Sequence, residues 1–294
     1  MKIMSNTQVA KTLNELFSAH PIRKPAKRGL CAVTPILIGH RGSCLDFAEN
    51  TIPSFARALE LGADMLELDV RLSKDGHVVV FHDPTVDRTT NGKGLVNSFT
   101  LSELKELKVK RPRLGTPRGS TIASSRTEIA TLEEVLQTFP EAIIAVEIKD
   151  QSWELCLKVV ELIQRFDRFN RTSIELIALK SKLGKALRLH EPRLVTGHTT
   201  GEIVRFTSLS RLRVSRFFRK NGPVIEVPLK RGRLKIVTPS FVRAAHKHGI
   251  RVYVWTVNDP TIMAKLFKMG VDGIFTDNLG LARTVAEHLR LLGQ

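Results

Sequence analysis

Eight apolar stretches, each of a length that suits one buried strand, alternate with helix-forming patterns along most of the chain. They lie at residues 36–42, 64–73, 142–150, 173–179, 193–199, 223–229, 251–257 and 273–277. Strands that read as near-continuous runs of Val, Ile and Leu are covered on both faces, the condition of a parallel sheet flanked by helices. Between them fall helical segments such as TIPSFARALELG, TLEEVLQTF, WELCLKVVELIQRF, SFVRAAHKHG and DPTIMAKLFKMG. Gly62, Gly249 and Gly270 stand where helices stop, and Pro53 and Pro260 where they start. Eight strand and helix units in about 250 residues favour an α/β fold of the TIM (β/α)8 barrel type over an open doubly wound sheet.

Two regions interrupt the alternation. The run VVVFHD at 78–83 follows the turn-forming KDGH and is expected to fold back on the second strand as a hairpin arm. Residues 83–130, rich in Thr, Ser, Gly, Pro and basic side chains, then read as a small inserted subdomain between the second strand and its helix. Residues 1–34 are expected to form a leader, with one short helix over VAKTLNELFSAH, either loosely packed or closing the lower end of a barrel that fills 35–294.

The apolar runs end in residues that a purely structural strand avoids. ILIGHRG, MLELDV, VVVFHD and AIIAVEIKD all finish in His, Arg, Glu, Asp or Lys. In a closed parallel barrel the C-terminal strand ends share one face, so His40, Arg41, Glu67, Asp69, Glu147, Lys149, Trp255 and Asp277 converge there. Glu67 and Asp69, two apart on one strand, point to the same side of the sheet. With Glu147 they gather three carboxylates, and such an all-oxygen set suits a hard divalent cation, Mg²⁺ or Ca²⁺. The alternative is a set of ion pairs at the barrel mouth with Arg71 or Lys149. His40 and His82 supply imidazoles matched to proton transfer near neutral pH, and Arg41 and Lys149 the positive charge that a phosphodiester requires.

The formal charge of +17 is unevenly placed. Ten basic residues lie between Arg205 and Lys235, and six more between Lys105 and Arg118. Such segments attract nucleic acid, anionic lipid or acidic substrates, or else form a solvated basic surface. The 205–235 segment also carries Phe206, Phe217 and Phe218, so peripheral contact with an anionic membrane is one expectation. A non-enzymatic polyanion-binding barrel is another, although no nucleic-acid motif is present and aromatics make up only 6% of the chain. Cys31, Cys44 and Cys156 lack metal-type spacing and read as bystander thiols. No apolar run approaches the roughly 20 residues that cross a bilayer, and no secretory signal core is evident, so a cytoplasmic location is expected.

The ordered set HRG with ENT (40–42, 49–51), ELD, KDGHVVVFHDPTVDRTT, TLEEVL, VEIK, VWTVND and GVDGIFTD resembles the glycerophosphodiester phosphodiesterase family from about residue 36 to 286. The resemblance implies a TIM barrel with an insertion after the hairpin, and hydrolysis of glycerophosphodiesters to glycerol 3-phosphate and an alcohol. It assigns His40 and His82 as the acid/base pair and Glu67, Asp69 and Glu147 as metal ligands. Arg41 and Lys149 match the phosphate-binding positions, Trp255 an aromatic residue at the mouth, and Glu49 with Asn50 a supporting motif. Asp83 and Arg88 are expected behind His82 rather than against the substrate. The chain departs from the family pattern at Ala48 and Ala130, which replace prolines, and at Leu179, Lys180 and Ser181, where Lys180 would bring a further positive charge towards the headgroup. Attack by water or by the substrate's own glycerol hydroxyl, and action on lysophospholipids as a lysophospholipase D, remain open alternatives.

Overall fold

The computed structural model describes residues 35–110 and 127–291, together with Glu15 and Ser18. The expected leader helix lies otherwise outside these residues, as do 111–126 of the insertion and of its basic run.

All eight expected parallel strands form. They are β1 (Ile36–Gly39), β2 (Met65–Leu72), β4 (Ile144–Ile148), β5 (Thr172–Glu175), β6 (Val195–Thr196), β7 (Val224–Pro228), β10 (Arg251–Trp255) and β11 (Gly273–Thr276). The short arm β3 (Val78–Val80) pairs antiparallel with β2, as the KDGH turn predicts. A further hairpin, β8 (Lys230–Arg231) with β9 (Leu234–Lys235), follows β7. The main sheet runs β6-β5-β4-β2-β1-β11-β10-β7, so its two ends, β6 and β7, come round to face each other.

The described α-helices are α1 (Ile52–Glu60), α2 (Leu101–Glu106), α3 (Leu132–Thr138), α4 (Trp153–Arg165), α5 (Ser181–His190), α6 (Thr200–Arg211), α7 (Pro239–Lys247), α8 (Pro260–Met269) and α9 (Leu279–Leu291). Their starts are chemically marked. Thr131 and Thr199 close capping boxes with Glu134 and Glu202, while Pro53 and Pro260 occupy first-turn positions where a missing N–H costs nothing. The inserted subdomain, with α2, packs on its own small apolar cluster of Val79, Phe81, Val86, Val96, Leu104 and Ile129. No described helix is long and apolar enough to cross a membrane.

Strand alternation splits the core in two. Leu66, Leu68, Val70, Ile144, Val146, Ile148 and Ile274 face the helices in the large cluster. Ile36, Ile38, Met65, Ile143, Ala145, Val224, Tyr253 and Phe275 fill the barrel interior. The interior residues pack one end, and the next inward positions along the strands lie towards the other.

The seam between β6 and β7 has no ladder, and side chains and close backbone contact close it instead. Buried His198 donates Nδ1–H to the Val224 carbonyl at 2.6 Å, and its Nε2 accepts from the Asn221 N–H at 3.4 Å. Gly222 lies against Thr196, so that a β-carbon there would collide with the Thr196 carbonyl oxygen. Gly222→Ala is therefore expected to destabilise the protein by about 1–3 kcal/mol, the usual cost of forcing extra atoms into a packed site. A urea midpoint equal to that of the wild type would show that the seam is loose.

Candidate active site

The polar end of the barrel follows from the same alternation. On β2, Met65, Glu67 and Asp69 point inward, on β4 Ala145 and Glu147, and on β5 Ser173 and Glu175. The register aligns Asp69 with Glu147 and Glu147 with Glu175 on neighbouring strands. Three strands thus deliver four carboxylates to one place. Three of them, Glu67, Glu147 and Glu175, line a cavity of about 260 Å³ together with His40, Arg41, His82, Lys149, Ile177, Trp255, Thr256 and Phe275.

Cations answer these carboxylates. Lys149 Nζ lies 2.9 Å from Asp69 Oδ1 and 2.7 Å from Glu147 Oε2. Arg41 Nε sits 3.2 Å from Asp69 Oδ2, while the Arg41 backbone N–H donates to Glu67 at 2.8 Å. That second contact requires the backbone of Arg41 to adopt a left-handed φ of 56°, a strained value for a side chain of this size. Gly42 follows at φ 87° with Ser54 so close that any β-carbon would clash, which explains the HRG turn. Asn50 donates Nδ2–H to Asp69 at 2.8 Å and accepts the Asp69 backbone N–H at 3.2 Å, locking that carboxylate in place.

A chain of alternating charge runs on to the second histidine. Arg41 Nη1 reaches Glu49 at 2.9 Å, and Glu49 accepts two bonds from Arg88 at 2.7 Å each. Arg88 also holds Asp83, and Asp83 Oδ1 lies 2.6 Å from His82 Nδ1. Arg71 anchors the His82 carbonyl at 2.8 and 3.0 Å and pairs with Asp150. His40 is held separately, with its Nδ1 2.7 Å from Asp277 Oδ1, and Asn258 donates to the other oxygen of Asp277 at 2.6 Å. Each ring therefore has Nδ1 engaged by a carboxylate and only Nε2 left for exchange.

The two environments push the histidines apart. Burial alone would lower the pKa of His40, but the Asp277 hydrogen bond and the charge of Glu67 outweigh it and hold the pKa above its ordinary value. For His82, burial together with Arg41 and Lys149 prevails over Asp69 and Asp83, and its pKa falls. One imidazole is thus disposed to carry a proton and the other to accept one.

Glu67, Glu147 and Glu175 bring carboxylate oxygens within 4.8 Å of one another. Burial, with the charges of Asp69 and Glu147, pushes Glu67 up to about 8. Burial and the neighbouring carboxylates drive Glu175 well above the usual range, and its Oε1 has no hydrogen-bond partner. Crowded hard oxygens, among them the unpartnered Glu175 Oε1, fit a divalent cation. Asp69, assigned to the ligand set from the sequence, does not join this trio: Lys149, Arg41 and Asn50 occupy its carboxylate and, against burial, keep its pKa low. Glu175 stands in the crowded group instead.

Residues 40–281 match the Glycerophosphoryl diester phosphodiesterase family. The chain belongs to that family. A glycerophosphodiester phosphodiesterase of Caldanaerobacter subterraneus subsp. tengcongensis is 34% identical over 259 residues, covering 83% of this chain and 94% of the relative. A lysophospholipase D of Rattus norvegicus is 28% identical over 272 residues, 82% of each chain. An Oleispira antarctica phosphodiesterase, solved in complex with the product sn-glycerol-3-phosphate, superposes with a TM-score of 0.70 at 23% identity, covering 86% of this chain and 97% of that one, and shares the fold.

The cavity of this family member gathers His40, Arg41, Glu67, His82, Glu147, Lys149 and Trp255, with Glu49, Asn50 and Asp69 bonded around it. Asp83 and Arg88 stand behind His82, as expected. Lys180 does not approach the site; it is the exposed residue preceding α5, and Ile177 lines the cavity on that side. The sequence reading missed Glu175 and left Asp277 without a role. The signal for Glu175 was available in the alternation of Ser173 and Glu175 about Ile174, hidden by placing the strand end at 179.

The raised Glu67 has a consequence for stability. Between pH 4.5 and about 8 the folded metal-free protein keeps a proton on Glu67 that the unfolded chain has released, so stability falls as pH rises through that interval. Glu175 acts in the same direction. A divalent ion binds the ionised form, so the gain in melting temperature on replacing EDTA with Mg²⁺ or Ca²⁺ is expected to be larger near pH 8 than near pH 5.5. A gain independent of pH would exclude these carboxylates as its source.

Proposed function

We propose that this protein hydrolyses glycerophosphodiesters to glycerol 3-phosphate and an alcohol. The observation that carries the reading is the pair of carboxylate-anchored imidazoles, His40 and His82, facing one cavity with the carboxylate trio and two cations. Family membership and the 34% identical glycerophosphodiester phosphodiesterase support it.

Arg41 and Lys149 orient the phosphodiester anion by charge-assisted hydrogen bonds, because guanidinium keeps donors beyond the one given to Glu49. Neutral His82 takes the proton of the attacking hydroxyl, and protonated His40 gives one to the alcohol oxygen as its bond to phosphorus breaks. Attack by water leaves the monoester directly, and attack by the substrate's glycerol hydroxyl uses the same two rings. Glu67, Glu147 and Glu175 would hold a divalent ion, Mg²⁺ or Ca²⁺, which would supply charge stabilisation for the phosphoryl group and lower the pKa of the attacking oxygen. Trp255, whose buried Nε1 has no hydrogen-bond partner, forms the cavity wall beside Ile177.

His40→Ala and His82→Ala are each expected to lower kcat about 10²-fold or more, with the melting temperature retained. The wild-type rate should rise as His82 loses its proton and fall as His40 loses its own. His82→Ala should flatten the acid limb and His40→Ala the alkaline limb, whereas either variant keeping both limbs would reject the assignment. In metal titrations, Glu175→Gln is expected to weaken binding more than Asp69→Asn, and the reverse order would restore Asp69 to the ligand set.

A further inference from the structure

From Ile203 to Asn258 the chain carries a single acidic residue, Glu226, and that one is buried. The ten basic residues between Arg205 and Lys235 all lie at exposed positions. Basic side chains elsewhere are answered locally: Arg57 by Asp46, Lys105 by Glu134, Arg165 by Glu133 and Arg193 by Glu191. Among the described residues none of the ten forms a salt bridge, and Glu202, the acidic residue just before them, is taken by Arg188 and Asn221. A field of one sign with no counter-charge of its own attracts a polyanion.

The fold makes these residues one surface. On α6, Ile203, Phe206 and Thr207 turn in against the barrel, which leaves Val204, Arg205, Ser208 and Arg211 facing out. The β8–β9 hairpin lies alongside. Val204 and Arg211 line one side of a groove, Lys230, Arg231 and Leu234 the other, and Arg211 donates Nη2–H to the Lys235 carbonyl at 2.6 Å. Between the helix and β7, Phe217 stands exposed in a short helical turn (Ser215–Phe217), with the Arg216 guanidinium 4.9 Å from its ring centre.

Apolar side chains are interspersed with these cations. Of the large apolar side chains exposed among the described residues, Leu95, Trp153 and Leu189 lie elsewhere in the sequence, and Val204, Leu212, Phe217 and Leu234 fall within the basic stretch. The occupant has to match both features. A second copy of a chain with net charge +17 would oppose like charge. Single-stranded nucleic acid stacks on a series of aromatic rings, and Phe217 is the one exposed ring from 203 to 235. A duplex matches the charge but offers Leu212 and Leu234 nothing apolar to enter. An anionic bilayer presents phosphates to the cations and a headgroup–acyl boundary to the apolar side chains.

We propose that this surface, α6 with the turn that follows it and the β8–β9 hairpin, docks on an anionic lipid bilayer. Arg and Lys side chains meet the lipid phosphates, and Leu212, Phe217 and Leu234 enter the boundary between headgroups and acyl chains. Docking of this kind needs nothing bound in the catalytic cavity, so it stands or falls apart from the hydrolytic reading.

The test is co-sedimentation of the full chain, in EDTA, with vesicles of phosphatidylglycerol and phosphatidylcholine in equal parts, against vesicles of phosphatidylcholine alone. The wild type should bind the anionic vesicles, and less so as added salt screens the attraction. Each cation near such a surface strengthens binding about five-fold, so Lys230→Gln with Arg231→Gln and Arg233→Gln should weaken it about 10²-fold. Phe217→Ser with Leu234→Ser, both at exposed positions, should weaken it about ten-fold or more. Both variants should keep the wild-type melting temperature. Binding to neither vesicle, equal binding to both, or anionic binding that either variant leaves intact would overturn the assignment. Duplex DNA bound at the same salt and weakened by the charge variant, with the vesicles ignored, would give the surface to nucleic acid and likewise overturn it.

Discussion

Carboxylates packed inside a barrel repel one another, and the polar end of this structure is organised around that repulsion. Parallel register brings Asp69, Glu147 and Glu175 side by side on three adjacent strands, with Glu67 one inward position below Asp69. Nothing in the apolar interior beneath them can compensate their charge. Lys149, the strained Arg41 and the bracing amide of Asn50 neutralise one part of the cluster. The remaining part, Glu67 with Glu175, is held towards the protonated form by burial and the neighbouring charges. The ion-pair chain through Glu49, Arg88 and Asp83 carries the same balance outward and leaves His82 positioned at its end.

That arrangement makes phosphodiester chemistry accessible without any nucleophilic Ser or Cys. Cys44, one of the two described thiols, points its Sγ at the His40 carbonyl and is held protonated by burial and the surrounding carboxylates. Two imidazoles with opposed pKa shifts suit the two proton transfers, and the cationic and anionic halves of the cluster suit a phosphate and a metal ion.

The fold was legible because buried parallel strands are written as apolar runs, and all eight appear where those runs lie. Most of the site was legible for a related reason: charged residues such as those of ELD and VEIK, at the ends of such runs, have no structural purpose. The sequence signal failed where structure depends on what one strand does relative to another. The pairing of Asp69 with Lys149 and Arg41 depends on distances that spacing along β2 does not contain. The seam between β6 and β7 rests on His198 and Gly222, which look unremarkable in the sequence. KRGRLK read only as a basic patch, yet the turn at Gly232, with φ 59°, folds it into the β8–β9 hairpin.

The central claim is that the buried carboxylates at the strand ends form a cation site. The most direct measurement is an anomalous diffraction map of crystals soaked in Mn²⁺, which substitutes for Mg²⁺ at hard oxygen sites. The account predicts one strong peak within bonding distance of Glu67 and Glu147, with Glu175 turned towards it. A map with no peak in the cavity, or with its peak only at surface carboxylates, would contradict it.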